Sequence, residues 1–282
     1  MDKHTQFSIL IWIFCVSKSF QQPQGYRTKF QHESIKTIEF VSNRLQIQRC
    51  LNAARDKVKQ VGACPGDQYE AIVWMSMYSR LCTIDKRLLT EDKHINNFPF
   101  RLNKELRCSF TVYRRDPRVR TIFLQAGVMI DKAIDVLNPY PYQSNLYRGL
   151  EDFPYADQNE FVENGFFSAT TDINVALHFA NGNILLIVER MYGVYIADYA
   201  QERFRHQREV LAKRHSMFRI RQKVTNSKHI SEIIAKLKLR ITRRYPKEII
   251  YIYQIIPGSH VIEMISDAQS RRQQSYDYCR PS

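Results

Sequence analysis

Three short stretches of the chain each set one reactive polar group beside an apolar, strand-like run. They are Leu146-Tyr147-Arg148-Gly149, Gly165-Phe166-Phe167-Ser168-Ala169-Thr170-Thr171 and Gln207-Arg208-Glu209-Val210-Leu211. An arginine grips phosphate through its bidentate fork, and a carboxylate stabilises a developing sugar cation. Brought to one cleft by neighbouring strands, Arg148, Ser168 and Glu209 suit a diphosphate-linked sugar with a good leaving group. An arginine inside a strand is costly unless a carboxylate or a ligand phosphate meets it. Gly149 beside it would let a ligand approach the backbone closely. Ser168 ends its strand, where a hydroxyl can orient a neighbour or touch a ribose, and Glu209 opens a buried strand. Taken singly each has an ordinary reading, since a strand arginine is usually a salt-bridged structural residue.

The elements that must position these groups change character along the chain. From about residue 28 to 138 the pattern is helical. Ile35, Ile38, Val41 and Leu45 recur at helical spacing, and the run continues to Ala54 and Val58. Cys64-Pro65-Gly66-Asp67 breaks it, with Asp67 placed to cap a helix that reaches Cys82. Asp116-Pro117 starts another, which buries Val119, Ile122, Phe123, Ala126, Ile130, Ala133 and Leu137 and stops at Asn138-Pro139. Three such amphipathic helices make a supporting layer. From 145 onward short strands take over. Asp172 caps a one- or two-turn helix to Ala180, and Ile184–Val188 is aliphatic throughout, as a strand buried on both faces requires. Strands follow over Tyr192–Ala197, Glu209–Lys213, Met217–Ile220 and Ile249–Ile256, with a surface helix over Ile230–Leu239. Helices first and strands later predict an α+β fold. The expected architecture is an N-terminal helical part followed by a mainly antiparallel β core of two packed sheets.

The totals exclude several classes. The chain has 282 residues and 44% hydrophobic content, enough for one ample core or two small ones. A net charge of +14 implies attraction to acidic partners, phosphate-bearing ligands or anionic surfaces. Between Glu202 and Glu248 stand 15 Lys or Arg against 4 Glu, a solvated face or a docking surface for an acidic partner. Aromatic residues are sparse there, so a base-stacking surface is not indicated. Lys3 followed by the apolar run Phe7–Val16 and by Ser17 and Ser19 reads as a secretory signal cut after Ser19, with a membrane anchor or a mis-set start as the alternatives. The run is too short to span a bilayer, and the polar tail excludes a C-terminal lipid-anchor signal. Outside the leader stand Cys50, Cys64, Cys82, Cys108 and Cys279, enough for two bridges with one thiol over. The expected pairing ties Cys279 back to Cys50 or Cys64. No Cys/His cluster has metal-ligand spacing, and the 8 histidines are scattered singly.

In order and spacing, the reactive segments resemble the arginine–serine–glutamate class of mono-ADP-ribosyltransferases. That class has an aromatic-Arg-Gly strand, a Ser-Thr-Ser-type strand and a Glu-x-Glu or Gln-x-Glu turn. Tyr147-Arg148-Gly149, Ser168-Ala169-Thr170 and Gln207-Arg208-Glu209 stand in those places. Tyr78-Ser79 is similar to the Tyr-Thr of the family's second helix, and Leu102–Arg107 to its Asn-x-x-Leu-Arg element. The likeness runs from about residue 30 to residue 256, and the leader resembles that of the extracellular vertebrate-type enzymes.

The resemblance implies an enzyme with NAD as co-substrate and no metal. Arg148 and Gly149 would hold the NAD diphosphate or its neighbouring ribose. Ser168 would contact the nicotinamide ribose and orient Glu209, which would stabilise the oxocarbenium-like transition state. Phe167, or Phe166 beside it, would stack on the nicotinamide ring or pack in the core. Ala169 replaces a hydroxyl of the family pattern. Gln207 stands where arginine-modifying members carry a glutamate, so the acceptor-side chemistry departs from theirs. The expected organisation is a leader over 1–19, a helical part over 20–140, a β-rich NAD-binding core over 141–265 and a polar tail over 266–282. The expected function is a secreted, monomeric transferase that modifies a protein side chain, arginine by family default, on an acceptor protein of acidic character. NAD hydrolysis, transfer to asparagine or another residue, and a catalytically silent binding protein of the same fold are the alternatives. Nucleic acid is a weaker target.

Overall fold

Helices come first and strands after in a computed structural model that describes residues 28–60, 66–89, 93, 95–107, 117–237 and 244–255. The expected leader, Cys64, Cys108, Asp116, Cys279 and the polar tail lie outside the described residues. Two units share the chain. One holds the described residues up to 106 with 117–138 and 198–205; the other holds Arg107, 139–197 and 206–255.

The first unit is helical. Helix α1 (Lys29–Arg44) begins with a capping box: the Gln31 N–H donates to Thr28 Oγ1 at 3.1 Å, and the Thr28 N–H donates to Gln31 Oε1 at 3.1 Å. Such a cap stabilises a helix by about 1 kcal/mol. The helix does not run on to Val58 as the apolar spacing suggests. Gln46 takes a left-handed φ of 56° and opens a separate α2 (Gln48–Gln60). That kink buries Leu45 and Ile47 together.

Helix α3 (Asp67–Tyr78) corrects the expected cap. Gly66, at φ 133°, is the N-cap, and Asp67 lies in the first turn, where it accepts a hydrogen bond from the Thr28 hydroxyl. Everything from Glu70 to Tyr78 is buried, as befits a helix hydrophobic on every side. The helix also stops short of Cys82, which instead forms a disulfide with Cys50 across a Cα–Cα distance of 5.8 Å. This pairing removes Cys50 as the partner expected for Cys279; the alternative, Cys64 with Cys279, lies outside the described residues. Helices α4 (Phe98–Arg107), apart from its last residue, and α5 (Pro117–Val136) complete the unit. The family-like residues Tyr78 and Asn103 meet there, with Asn103 Nδ2 donating to the Tyr78 hydroxyl at 2.8 Å.

The second unit is a sheet with two helices against it. Its elements are β1 (Tyr140–Tyr142), β2 (Leu146–Leu150), β3 (Glu160–Glu163), β4 (Phe167–Thr170), α6 (Ile173–Ala180), β5 (Ile184–Val188), β6 (Met191–Tyr195), β7 (Glu209–Ala212), β8 (Ser216–Val224), α7 (Ser227–Lys236) and β9 (Glu248–Ile255). The spatial order is β1-β6-β7-β4-β2-β5-β9-β8-β3, and every pairing is antiparallel except β5 with β9. Where two packed sheets are expected, the strands form one hydrogen-bonded order. It narrows at β2–β4 to a single register pair, Tyr147 with Thr170. Strand β5 is central, which accounts for its unbroken aliphatic run. One face buries Leu146, Phe167, Leu186, Val210, Phe218 and Ile252; the other packs Leu185, Ile187 and Ile249 against Ala176 and Leu177 of α6 and Ile230 and Ile234 of α7.

Candidate active site

The narrow seam between β2 and β4 is where the three reactive segments meet. On β4 and β7, Ser168 is level with Leu211 and Thr170 with Glu209, so Ser168 and Glu209 are two positions apart along the paired strands. Side chains alternate along a strand, so this register places both on one face. The Ser168 hydroxyl donates to Glu209 Oε1 at 2.5 Å. Arg148 comes in from β2 and donates from Nη1 to the Ser168 carbonyl at 3.2 Å. The arginine, hydroxyl and carboxylate singled out in the sequence thus form one connected group.

Electrostatics set the carboxylate's behaviour. Burial pushes the Glu209 carboxyl pKa above its ordinary value, while the Ser168 hydrogen bond and the charge of Arg148 pull it back. Desolvation prevails. A carboxylate so placed is strongly felt by any positive centre that develops beside it, because little water screens it.

The turn before Glu209 is strained and deliberately held. Arg208 has a left-handed φ of 46°, which costs a residue with a Cβ on the order of 1 kcal/mol. Two hydrogen bonds fix it. Thr170 Oγ1 donates to the Gln207 carbonyl at 2.6 Å, and the Thr171 N–H donates to the Arg208 carbonyl at 3.3 Å. The same Thr170 oxygen accepts from the Asp172 N–H at 3.0 Å, and Asp172 caps α6 by accepting from the Asn174 N–H at 3.0 Å. One buried hydroxyl therefore links the N-terminus of α6 to the Gln207-Arg208-Glu209 turn. Gln207 itself is half-buried, and Arg208 is exposed.

Two sequence expectations are refined here. A Cβ on Gly149 would lie 1.8 Å from the Ala176 carbonyl oxygen and 2.2 Å from the Ala180 nitrogen. The backbone of α6 makes a close approach that needs this glycine. Phe167 is only 2% exposed, with its ring centroid 4.4 Å from that of Phe218 and the Arg148 guanidinium carbon 4.7 Å above it. It is a core residue that supports Arg148 and offers no open face for stacking; Phe166 is buried as well. An aromatic column continues from Phe218 to Phe161 and Tyr155, with centroids 5.3 and 4.6 Å apart.

Sequence reasoning passed over Glu163, and marked Arg107 only as the arginine of the Asn-x-x-Leu-Arg element. Arg107 donates from Nε to Glu163 Oε1 at 2.8 Å and from Nη2 to Oε2 at 3.2 Å. The available signal was an acidic residue closing the apolar pair Phe161-Val162. Among the described residues no group of three or more His, Cys, Asp and Glu is arranged to hold a metal ion, and no helix is long and apolar enough to cross a membrane.

Comparison with known proteins places this geometry. No curated protein sequence matches the chain. Among solved structures it is similar to the eukaryotic mono-ADP-ribosyltransferase ART2.2, with 14% identity, a TM-score of 0.52 and coverage of 84% of this chain and 90% of that one. It is also similar to the type III effector XopAI of Xanthomonas axonopodis pv. citri, with 13% identity, a TM-score of 0.51 and coverage of 89% and 99%. A mutant of ART2.2 in complex with NAD is similar at 14% identity and a TM-score of 0.50, over 83% of this chain and 88% of that one. At these identities the likeness shows a shared fold. The sequence model of the NAD:arginine ADP-ribosyltransferases matches residues 90–238, more than half of the chain and the whole of the Arg148, Ser168 and Glu209 group, so the chain belongs to that family.

Proposed function

We propose that the chain transfers ADP-ribose from NAD to a protein side chain and releases nicotinamide. The observation that carries this reading is the 2.5 Å hydrogen bond from Ser168 to Glu209, with Arg148 of the neighbouring strand anchored on the Ser168 carbonyl. Arg148 would bind the diphosphate, its guanidinium lying over Phe167. Glu209, ionised and oriented by Ser168, would stabilise the cation that develops at the ribose C1′ carbon. The C1′–N bond breaks with its electron pair leaving on nicotinamide, which departs neutral, so no second carboxylate is needed as an acid. The acceptor side chain then bonds to C1′ and gives up its proton to solvent.

Gln207 shapes the second half of the reaction. Its carbonyl is pinned by Thr170, so its amide has a fixed base from which to position an acceptor by hydrogen bonds. A neutral amide does not take a proton from a guanidinium. Arginine is the acceptor by family default, at a reduced rate, and water takes a share of the sugar cation. NAD hydrolysis is thus the second reading, and Gln207 is what favours it. The apolar run Phe7–Val16 supports secretion, and the Cys50–Cys82 bridge accords with an oxidising compartment.

The test is incubation of the purified chain with labelled NAD and a mixed protein acceptor. Glu209→Gln should lower nicotinamide release by about 100-fold or more. Equal release by the two proteins would defeat the enzyme assignment. Gln207→Glu should increase labelling of arginine relative to free ADP-ribose; an unchanged ratio would remove Gln207 from the acceptor side.

A further inference from the structure

One buried charge pair outside the Arg148, Ser168 and Glu209 group is tied to the strands that carry it. Glu163 closes β3 and is 4% exposed. Besides the two bonds from Arg107, its Oε1 accepts from the Gly165 N–H at 2.9 Å, and its main-chain carbonyl accepts from the His215 N–H at 2.7 Å. Gly165 leads into β4 and Ser168. His215 lies in the turn that joins β7, which Glu209 opens, to β8. Burial would favour a neutral Glu163; the charge and hydrogen bonds of Arg107, the charge of Arg148 and the Gly165 amide outweigh it and hold the carboxyl pKa below the ordinary range. A buried ion pair is weak evidence of stability, because apolar residues of similar volume often do as well. Three donors on one carboxylate do define its position.

We propose that Glu163, held by Arg107, is a positioning residue for the reaction: it fixes the entry to β4 and the β7–β8 turn, and through them the contact between Ser168 and Glu209. This rests on the reading of Glu209 as the group that stabilises the sugar cation. Among the described residues, the groups that act on Glu209 are Ser168 from β4 and Arg148 from β2; those that act on Glu163 are Arg107, Arg148 and the Gly165 amide. Loss of the Glu163 charge would have two opposed effects. Electrostatics alone would leave Arg148 less compensated and favour ionised Glu209, moving the acid limb of the rate profile down in pH. Loss of the Ser168 contact would disfavour ionised Glu209 and move that limb up. The sign of the movement separates positioning from simple charge removal.

The experiment uses Glu163→Gln in the full chain, which keeps an acceptor for Gly165 and removes the charge. Nicotinamide release from NAD is followed against pH, and Glu209 is titrated in parallel by carboxyl 13C resonance. The expected result is a kcat lower by roughly 10-fold, a KM for NAD within about twofold, and an acid limb and Glu209 titration both moved upward. An unchanged kcat, or movement downward, overturns the proposal. The double variant Arg107→Met with Glu163→Met replaces the pair by apolar side chains, and the same kcat loss and upward shift are expected of it. Wild-type behaviour in the double variant, or failure of both variants to fold, would make the pair a stability element and overturn its role. If the wild type itself releases no nicotinamide, the transferase reading fails, and the Glu209 titration alone still decides the positioning.

Discussion

Glu163 and Glu209 are the same residue type in the same sheet, both within the field of Arg148, yet their carboxyl pKa values move in opposite directions. Glu163 has a bidentate arginine and a backbone amide, and the charge that burial would suppress is kept. Glu209 has one hydroxyl and the more diffuse charge of Arg148, and burial prevails. The difference separates two uses of a desolvated carboxylate. A fully partnered one fixes geometry; an under-partnered one retains free energy to give to a cation that forms later.

The sharpest way to break the comparison is to remove each charge and follow stability. Glu163 has a folded-state pKa below its unfolded value, so its contribution is present above the unfolded pKa of about 4.3 and is lost as pH falls through the folded value. Removing one partner of a buried pair costs about 3–5 kcal/mol. Glu163→Gln should therefore lower the melting temperature at neutral pH by roughly 6–10 °C, at about 2 °C per kcal/mol for a chain of this size. The gap to wild type should close as the solution is acidified. A melting temperature within about 1 °C of wild type at pH 7 would show that the Arg107–Glu163 pair holds nothing in place.

Ser168 offers a smaller and more selective cut. Its hydroxyl is a hydrogen bond that favours ionised Glu209, and it orients the carboxylate. Ser168→Ala should slow nicotinamide release by about 10-fold, equivalent to about 1.4 kcal/mol, and move the acid limb of the rate upward. A slower rate with an unmoved limb would mean that Ser168 acts on the substrate rather than through Glu209.

The asymmetry between the two glutamates also marks how far the sequence could be read. Glu209 was legible because it opens a strand, and Ser168 because it interrupts an apolar run, although Ser168 lies inside β4 and not at the strand end that the sequence suggests. Glu163 was not, because Glu163-Asn164-Gly165 reads as an ordinary polar turn and Arg107 is 56 residues away. Gly149 was correctly marked as a point of close approach, and the element whose backbone approaches it is α6, which follows two strands later. The break at Gln46 escaped notice because helical spacing of Leu45 with its predecessors survives a single left-handed residue. The helix–strand order and the buried β5 were plain from periodicity and from the aliphatic run. The single-pair seam between β2 and β4 depends on long-range register, which no local pattern records.

The smallest expected effect is also the most diagnostic, because it has the opposite sign. Glu209 has a folded-state pKa above its unfolded value, so its contribution to stability is fully present below the unfolded pKa and is lost as pH rises through the folded value. At neutral pH the ionised side chain therefore works against the fold. Glu209→Gln keeps the shape and an acceptor for Ser168 while removing the charge, and should raise the melting temperature at pH 7 by about 2 °C, or about 1 kcal/mol. The gain should vanish at a pH low enough to protonate Glu209 in the folded protein. The same substitution that destabilises at position 163 would then stabilise at position 209 while abolishing turnover. A fall in melting temperature at pH 7 would mean that Arg148 and Ser168 fully compensate the Glu209 charge, and the distinction between the two carboxylates would collapse.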